Sequence, residues 1–325
     1  MLSFKDAVRK RPGMYFGDID HNAVNHVIYE LVANVVDLFL AGRATTLKVD
    51  VSECEIIVID DGPGFPFPVE DSAHNLVERY LTHHHDKPTA DDHAPHVHVL
   101  GGGLGLAAVN AVSETLTIES SNGAWRWRQV FGKGDVFAPL ESFRYDGPSG
   151  SSIKLSLDPS VFHNRLPDFF QLRKAMFELA HLYSGLIVEF DGERYVSKQG
   201  LLELAYLMWS GPKWAFNPKM FRFKGQTEDV GFEVAAIGDG GSPPCYKSWV
   251  NGCETEEHGA HVNGLRQALN DAGWAPDIAL ISIVMHDPKF AGPVKSRLCN
   301  RRVKSLIAEA LADPLKMFKS KSEDN

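Results

Sequence analysis

Four polar side chains near the amino terminus are spaced to act together. His26, Glu30, Asn34 and Asp37 follow one another at intervals of 4, 4 and 3 residues. At 100° per residue they fall within an arc of roughly 80° on one helix face. The apolar positions Val24, Val27, Ile28, Leu31, Val32 and Val35 centre on the opposite side. One face of such a helix packs on a core, and the other presents an imidazole, a carboxylate and an amide together. A solvated polar face has the same pattern in an isolated helix. However, Asn34 is a poor helix former in mid-helix, and the neighbours of Glu30 are apolar rather than cationic.

Two glycine clusters follow. Asp60-Asp61-Gly62-Pro63-Gly64 stands at the end of a strand-like run. A carboxylate there can accept a hydrogen bond from an exocyclic amine in a pocket, although Asp-Asp-Gly also makes an ordinary turn. Gly101-Gly102-Gly103-Leu104-Gly105-Leu106 then runs into an apolar helix. A glycine turn opening a helix offers free backbone N–H groups to phosphates. It lacks the Gly-Lys-Ser/Thr of a Walker loop and the preceding strand of a dinucleotide fingerprint.

The elements that must position these groups can be read from periodicity. A helix over 24–39, strands over 46–51 and 55–59, a glycine turn at 101–105 and a helix through 112 are predicted. Strands over 114–120, 124–131 and 152–157, a helix over 166–183 and a strand over 186–191 come next. The stretch 209–228, rich in Trp, Pro, Lys and Phe, shows no clear period, and a domain boundary is expected there. Beyond it, strands over 230–237, 245–250 and 278–285 alternate with helices over 261–272 and 301–312. A frayed polar tail is expected at 319–325.

Composition bounds the function. The chain has 325 residues, 44% of them hydrophobic, enough for about two cored domains. Net charge is −9, which argues against a surface that grips duplex DNA by its phosphates. The four cysteines form no CxxC pair, so neither a zinc site nor a disulfide framework is suggested and a reducing compartment fits. There is no run of about 18 uncharged apolar residues and no apolar signal core. A soluble, cytoplasmic, two-domain protein with no membrane partner is expected.

The order of a helix with Glu and Asn, then Asp-x-Gly-x-Gly, then Gly-Leu-Gly-Leu resembles the three sequence boxes of the GHKL ATPase superfamily. That superfamily holds gyrase B, the ninety-kilodalton heat-shock chaperones, MutL and histidine kinases. Within it the chain is most similar to gyrase B and its topoisomerase IV relative. The likeness lies in the opening Val8-Arg9-Lys10-Arg11-Pro12-Gly13-Met14-Tyr15-Phe16-Gly17-Asp18 and in Asp287-Pro288-Lys289-Phe290 followed by Lys295. Ala260-His261-Val262-Asn263-Gly264 resembles a transducer helix start.

The resemblance implies an α+β fold: a GHKL (Bergerat) α/β sandwich over 1–208, then a transducer domain of the ribosomal-protein-S5 domain 2-like type over 209–325. It also implies ATP and Mg²⁺. Glu30 would be the general base and His26 would orient it, with a plain structural histidine equally open. Asn34 would be the protein ligand to Mg²⁺. Asp60 would bind the adenine amine, helped by Ser151 through a water, with Gly64 and Pro66 lining the base pocket. Gly102, Gly103, Leu104 and Gly105 would form the phosphate turn, and Lys295 would reach the γ-phosphate.

Several positions depart from the family. Pro63 replaces an arginine and Leu38 the glutamate that pairs with it, so both halves of one ion pair are gone. Pro293 and Val294 replace a glutamine and a threonine. Arg128 matches a second pocket-rim arginine, and residues 99–102 resemble a histidine-kinase lid. Six histidines at 83–98 suit either a solvated lid or, less well, a transition-metal site.

Little precedes Val8 to serve as an exchanged arm, and no Toprim-like motif or strand-cleaving tyrosine domain is present. The implied activity is a nucleotide-gated, ATP-dependent homodimerisation module of a type II topoisomerase that does not cut DNA alone. It would meet DNA only indirectly, with a gyrase A-type or Toprim-bearing subunit in trans. The alternative is a stand-alone paralogue that binds nucleotide and regulates a gyrase with little hydrolysis. A sensor kinase is disfavoured, because nothing before residue 24 could form a phospho-accepting helix pair.

Overall fold

The computed structural model describes residues 3–53, 55–65, 76–83, 103–211, 218–227, 229–238, 240, 244–292 and 294–323. The chain divides into two compact units, Met1–Ala180 with Gly185–Val196 and His181–Ser184 with Ser197–Asn325.

The first unit begins with helices α1 (Phe4–Lys10), α2 (Gly13–Phe16) and α3 (His21–Leu40). Strands β1 (Thr46–Val51) and β2 (Ile56–Asp60) follow, then helices α4 (Leu76–Thr82) and α5 (Leu106–Ala111). A run of strands comes next: β3 (Ser113–Ser121), β4 (Trp125–Gly132), β5 (Asp135–Arg144) and β6 (Gly150–Leu157). Helix α6 (Phe169–Leu182), β7 (Ile187–Phe190) and β8 (Glu193–Tyr195) close it.

The described strands form an eight-stranded sheet in the order β5-β4-β3-β6-β2-β1-β7-β8. All its pairings are antiparallel except β1 with β7. Because strand side chains alternate in direction, the register sorts the residues into rows. Val49, Val58, Ile153 and Ile118 stand in one row across β1, β2, β6 and β3. Ile56, Leu155, Leu116 and Phe131 stand in another, and all eight side chains are buried. At the end of the same face, Asp60, Ser151, Ser120 and Trp127 make a third row. The face is thus apolar along most of its length and polar at one end.

Helices α3 and α5 pack on this sheet. α3 is long and apolar enough to cross a membrane by length and composition alone. Yet 61% of that stretch is buried inside the protein, as in a core helix.

The second unit holds α7 (Leu201–Met208), β9 (Met220–Gln226), β10 (Val230–Ile237), β11 (Cys245–Val250), β12 (Cys253–Glu254), α8 (Ala260–Asp271), β13 (Ile278–Met285) and α9 (Arg301–Glu323). Its five-stranded sheet runs β12-β11-β13-β10-β9. Val234, Val250, Ile281 and Ile283 from the sheet form one core with Val262 and Leu265 of α8 and Ile307, Leu311 and Leu315 of α9.

Several elements depart from the periodicity reading. Periodicity gives no strand over 135–144, yet β5 forms there as the edge of the sheet. Its Val136, Phe137 and Phe143 are exposed, so the apolar alternation is lost, and Pro139 is the kind of breaker that an edge strand tolerates. α7 is too short and too uniformly apolar to show a helical period. β9 lies within the aperiodic 209–228. α9 runs to Glu323 instead of stopping at 312, passing through Pro314. Proline removes one backbone donor, but Leu315 is buried and Phe318 stacks near Phe221 and Trp274, with ring centroids 5.4 and 5.0 Å away. That packing holds the helix past its break and orders the expected frayed tail as far as 323.

Candidate functional site

The site in the first unit is built on α3, the β2 terminus and the turn before α5. α3 starts at Asp20, whose side chain accepts from the backbone N–H groups of Asn22 and Ala23, the usual N-cap arrangement. Its apolar stripe is buried, so its polar face is held in a fixed direction.

Glu30 lies on that polar face yet is only 5% exposed. Its carboxylate accepts hydrogen bonds from three consecutive backbone N–H groups. Gly103 N donates to Oε1 at 2.8 Å, Leu104 N is 3.1 Å from both oxygens, and Gly105 N donates to Oε2 at 3.0 Å. The candidate base and the candidate phosphate turn are therefore in direct contact, although 73 residues separate them in sequence.

Asn34 donates from Nδ2 to the Glu30 carbonyl at 3.2 Å, a back-bond along the helix. This engages the amide nitrogen and makes Oδ1 the atom for a cation. His26 is solvent-facing, and partial desolvation lowers its pKa while the charges of Glu30 and Asp20 pull it up.

The two adjacent aspartates have opposite fates. Asp61 accepts from the backbone N–H groups of Thr45 and Thr46 at 2.7 and 2.8 Å and from the Thr45 hydroxyl. Burial opposes its charge, but these bonds outweigh it and its pKa falls. Asp61 thereby ties the start of β1 to the end of β2. Asp60 turns to the inner face, where desolvation raises its pKa against hydrogen bonds from Gly62 and Ser151. A half-buried carboxylate with a raised pKa and a hydroxyl beside it is suited to bind an amine donor.

The wall beside Asp60 is tightly made. Gly64 has φ +79°, and a Cβ there would stand 2.5 Å from the Ser121 carbonyl oxygen and 2.7 Å from Ser120 Oγ. Ser120, only 2% exposed, accepts from Phe65 N at 2.8 Å. Phe65 in turn meets Trp127 edge-on, with centroids 6.4 Å apart. Sequence motifs do not single out Ser120, because only the register of β3 against β6 places it next to Ser151. Leu38 Cδ1 lies 3.0 Å from where a Cβ on Gly62 would stand, so this side chain closes one side of the Gly62 turn.

The opening motif holds α5 at its C-terminal end. Arg9 donates to the carbonyl of Ala111, the last residue of α5, at 2.9 Å, and to Asp158 Oδ2 at 2.6 Å. A cation at a helix C-terminus is favourable there. Asp158, almost fully buried, has its pKa lowered to about 2. Burial opposes this, and the bonds from Ser160 and Arg9 prevail.

One expectation is corrected. Arg128 pairs with Glu119 at 3.7 Å on an exposed part of the sheet. The register puts Arg128, Glu119, Ser152 and Ile59 in one row, on the face opposite Asp60 and Ser151. Arg128 therefore does not rim the pocket.

Lys295 belongs to the second unit. It adopts φ +59° and donates its backbone N–H to the Gly292 carbonyl at 3.2 Å. Its loop is closed by Asn300, which accepts from Lys289 N at 2.6 Å and donates to the Asp287 carbonyl at 2.9 Å. Pro66, Gly102, Pro293 and the histidines from 84 to 98 lie outside the described residues. Among the described residues no group of three or more His, Cys, Asp or Glu side chains could hold a metal.

Residues 19–138 match the family of histidine kinase-, DNA gyrase B- and HSP90-like ATPases. The chain is 26% identical to the DNA gyrase B protein of Clostridium acetobutylicum, over 98% of this chain and 55% of that protein. It is 28% identical to that of Campylobacter jejuni, over 95% of this chain and 44% of that one. The chain thus spans about half the length of these relatives.

Its fold is that of the 43K ATPase domain of Thermus thermophilus gyrase B, solved with an aminocoumarin. The TM-score is 0.81 at 23% identity, covering 99% of this chain and 92% of that one. The topoisomerase IV ATP-binding domain of Francisella tularensis gives 0.78, also at 23%, covering 99% and 93%. The chain resembles the N-terminal ATPase region of gyrase B and topoisomerase IV along nearly its whole length, and its fold is the α+β fold of the GHKL ATPases.

Proposed function

We propose that the first unit binds ATP with Mg²⁺ and hydrolyses it, and that the chain works as a nucleotide-gated dimerisation module like the N-terminal half of gyrase B. The observation that carries this reading is the contact of Glu30 with the Gly103–Gly105 turn. A carboxylate able to take a proton and a row of N–H donors suited to phosphate lie within 3.1 Å of each other, in a chain that resembles a family of ATPases.

In this reading Asp60 accepts the adenine amine, with Ser151 steadying the carboxylate. Gly64 and Pro66 line the base, and the N–H groups of the 102–105 turn take the phosphates. Glu30 takes the proton of the attacking water, and His26 holds its place beside it. Asn34 suits Mg²⁺, since a neutral amide oxygen alone is a fitting protein ligand for a metal that keeps its waters and takes its other ligands from phosphate. When bound, the metal would neutralise charge on the phosphates. Lys295 is proposed as the γ-phosphate ligand, on the likeness of its loop. Residues 209–325, the bounds expected from the sequence, are proposed as a transducer domain, within the second unit.

The partners proposed are a second copy of the chain and a gyrase A-type or Toprim-bearing subunit in trans, with DNA met through them, in the cytoplasm. Turnover of ATP with magnesium by wild type, Glu30→Ala and Lys295→Ala tests the assignments, alongside sedimentation with a non-hydrolysable ATP analogue. Wild type is expected to hydrolyse ATP and to dimerise with the analogue, and both variants to lose turnover. Unchanged turnover in both would overturn the catalytic roles. Absence of any adenine-nucleotide binding by calorimetry would overturn the reading itself. Nucleotide binding and association with a gyrase A-type subunit, with negligible turnover, would favour the regulatory paralogue.

A further inference from the structure

We infer that Glu30 is an internal latch: its carboxylate occupies the phosphate turn until a phosphate displaces it, so that the base is released only by the group it is to act beside. This rests on the function proposed above and adds a regulatory step to the same site.

Both carboxylate oxygens of Glu30 are engaged. Oε1 faces Gly103 N and Leu104 N, and Oε2 faces Leu104 N and Gly105 N. An ionised carboxylate is an acceptor only, and such charge-assisted bonds are the strong ones. These lone pairs are directed at the turn, so the bound carboxylate is poorly placed to take a proton from a water. The same three N–H groups are the donors that a phosphate needs. One anion at a time can hold them, and Glu30 is already there, 5% exposed and pinned to a helix whose apolar face is buried.

A di- or triphosphate has more oxygens and more charge than one carboxylate, and it also brings the binding energy of the rest of the nucleotide. When it takes the turn, Glu30 must leave, and the displaced carboxylate remains on α3 next to the incoming phosphate. Release of the base is therefore a consequence of phosphate arrival. A ligand without phosphate leaves the latch closed. The reciprocal also holds: part of the affinity for phosphate is used in breaking the latch, as linkage requires.

The test compares binding of MgADP, inorganic pyrophosphate and adenosine to wild type, Glu30→Ala and Glu30→Gln by calorimetry. Amide hydrogen exchange of Gly103, Leu104 and Gly105 is followed in parallel. Glu30→Gln preserves side-chain shape but turns an amide group toward the donors. MgADP and pyrophosphate are expected to bind about tenfold tighter to both variants, while adenosine changes by less than about twofold. The three amides are expected to exchange slowly in ligand-free wild type and quickly in Glu30→Ala.

Equal pyrophosphate affinity in all three proteins would overturn the latch. So would adenosine tightening by the same factor as MgADP, or slow amide exchange persisting in Glu30→Ala. If pyrophosphate tightens as expected while no adenine nucleotide binds anywhere, the latch stands and the ATPase reading falls.

Discussion

Asp60 and Ser151 stand opposite each other in the register of β2 and β6, and the serine hydroxyl donates to a carboxylate that burial makes harder to ionise. With Ser120 one strand further on, they form the polar end of an otherwise apolar sheet face. A charge kept there costs stability, and the function proposed above gives it the task of accepting a hydrogen bond from an amine.

The first prediction separates those two effects. Asp60 has a folded pKa above its unfolded value, so this half-buried charge destabilises the fold progressively as pH rises from the unfolded pKa to the folded one, and in full above it. Asp60→Asn removes that cost and is expected to leave the melting temperature at pH 7 unchanged or higher. It also presents a donor to the adenine amine, and adenine-nucleotide affinity should fall about 10- to 100-fold, the ~1.5–3 kcal/mol of a hydrogen bond to a charged group. Ser151→Ala should cost about 1 kcal/mol of affinity. Calorimetric titration and thermal melts check both, and nucleotide binding by Asp60→Asn at wild-type strength would contradict the assignment.

Two glycines with nearly the same backbone angle should respond differently. Gly64 and Gly105 have φ +79° and +78°, but a Cβ meets Ser121 O at 2.5 Å in the first and nothing within 4 Å in the second. Gly105 has ψ 171°, a backbone region that only glycine adopts readily, so Gly105→Ala is expected to cost about 1–3 kcal/mol of backbone strain alone. Gly64→Ala adds a clash with backbone that cannot move aside, and should cost more than that strain. Denaturant melts of the two variants give the comparison.

The Arg9–Asp158 pair sets part of the acid response. Asp158 is held at about 2 against an ordinary value of 3.8. A depressed carboxylate contributes stability that is present above the unfolded pKa and lost as pH falls through the folded one. Asp158→Asn should therefore cost about 2 kcal/mol at pH 7. The gap from wild type should close as pH falls from about 4 to about 2, which melts across that range will show.

His261, fully buried in the second unit with Nε2 at 3.2 Å from Thr255 Oγ1, has its pKa lowered to about 3 by burial and by the charge of His258. It is expected to stay neutral across the physiological range, with no imidazole titration above about pH 4 in an NMR series. Because the unfolded imidazole takes up a proton near 6.5, this group makes the fold progressively less stable as pH falls below that value. His261→Gln should flatten that slope.

Much of the first unit is legible in the linear sequence. The period of α3, the breaker cluster after β2 and the glycine turn before α5 are local patterns, and each element forms where its residues place it. Glu30 and Asn34 on one face of α3 follow from helical spacing alone. The elements that periodicity does not show lack a local signature. β5 is exposed along an edge and interrupted by proline, α7 is short and apolar but for Glu203, and α9 outlasts Pro314 because Leu315 and Phe318 find partners elsewhere.

Residue types and short-range spacing determined which groups this protein offers for chemistry and which elements carry them, since helix and strand periods act over a few residues. Only the tertiary structure decided which groups meet. The strand register placed Ser120 beside the Gly64–Phe65 turn and moved Arg128 to the far face of the sheet. The packing of α3 brought Glu30 onto the N–H groups of Gly103 to Gly105. Those contacts join positions far apart in the chain, and one step of register would reverse every side chain in a strand, so no local pattern encodes them.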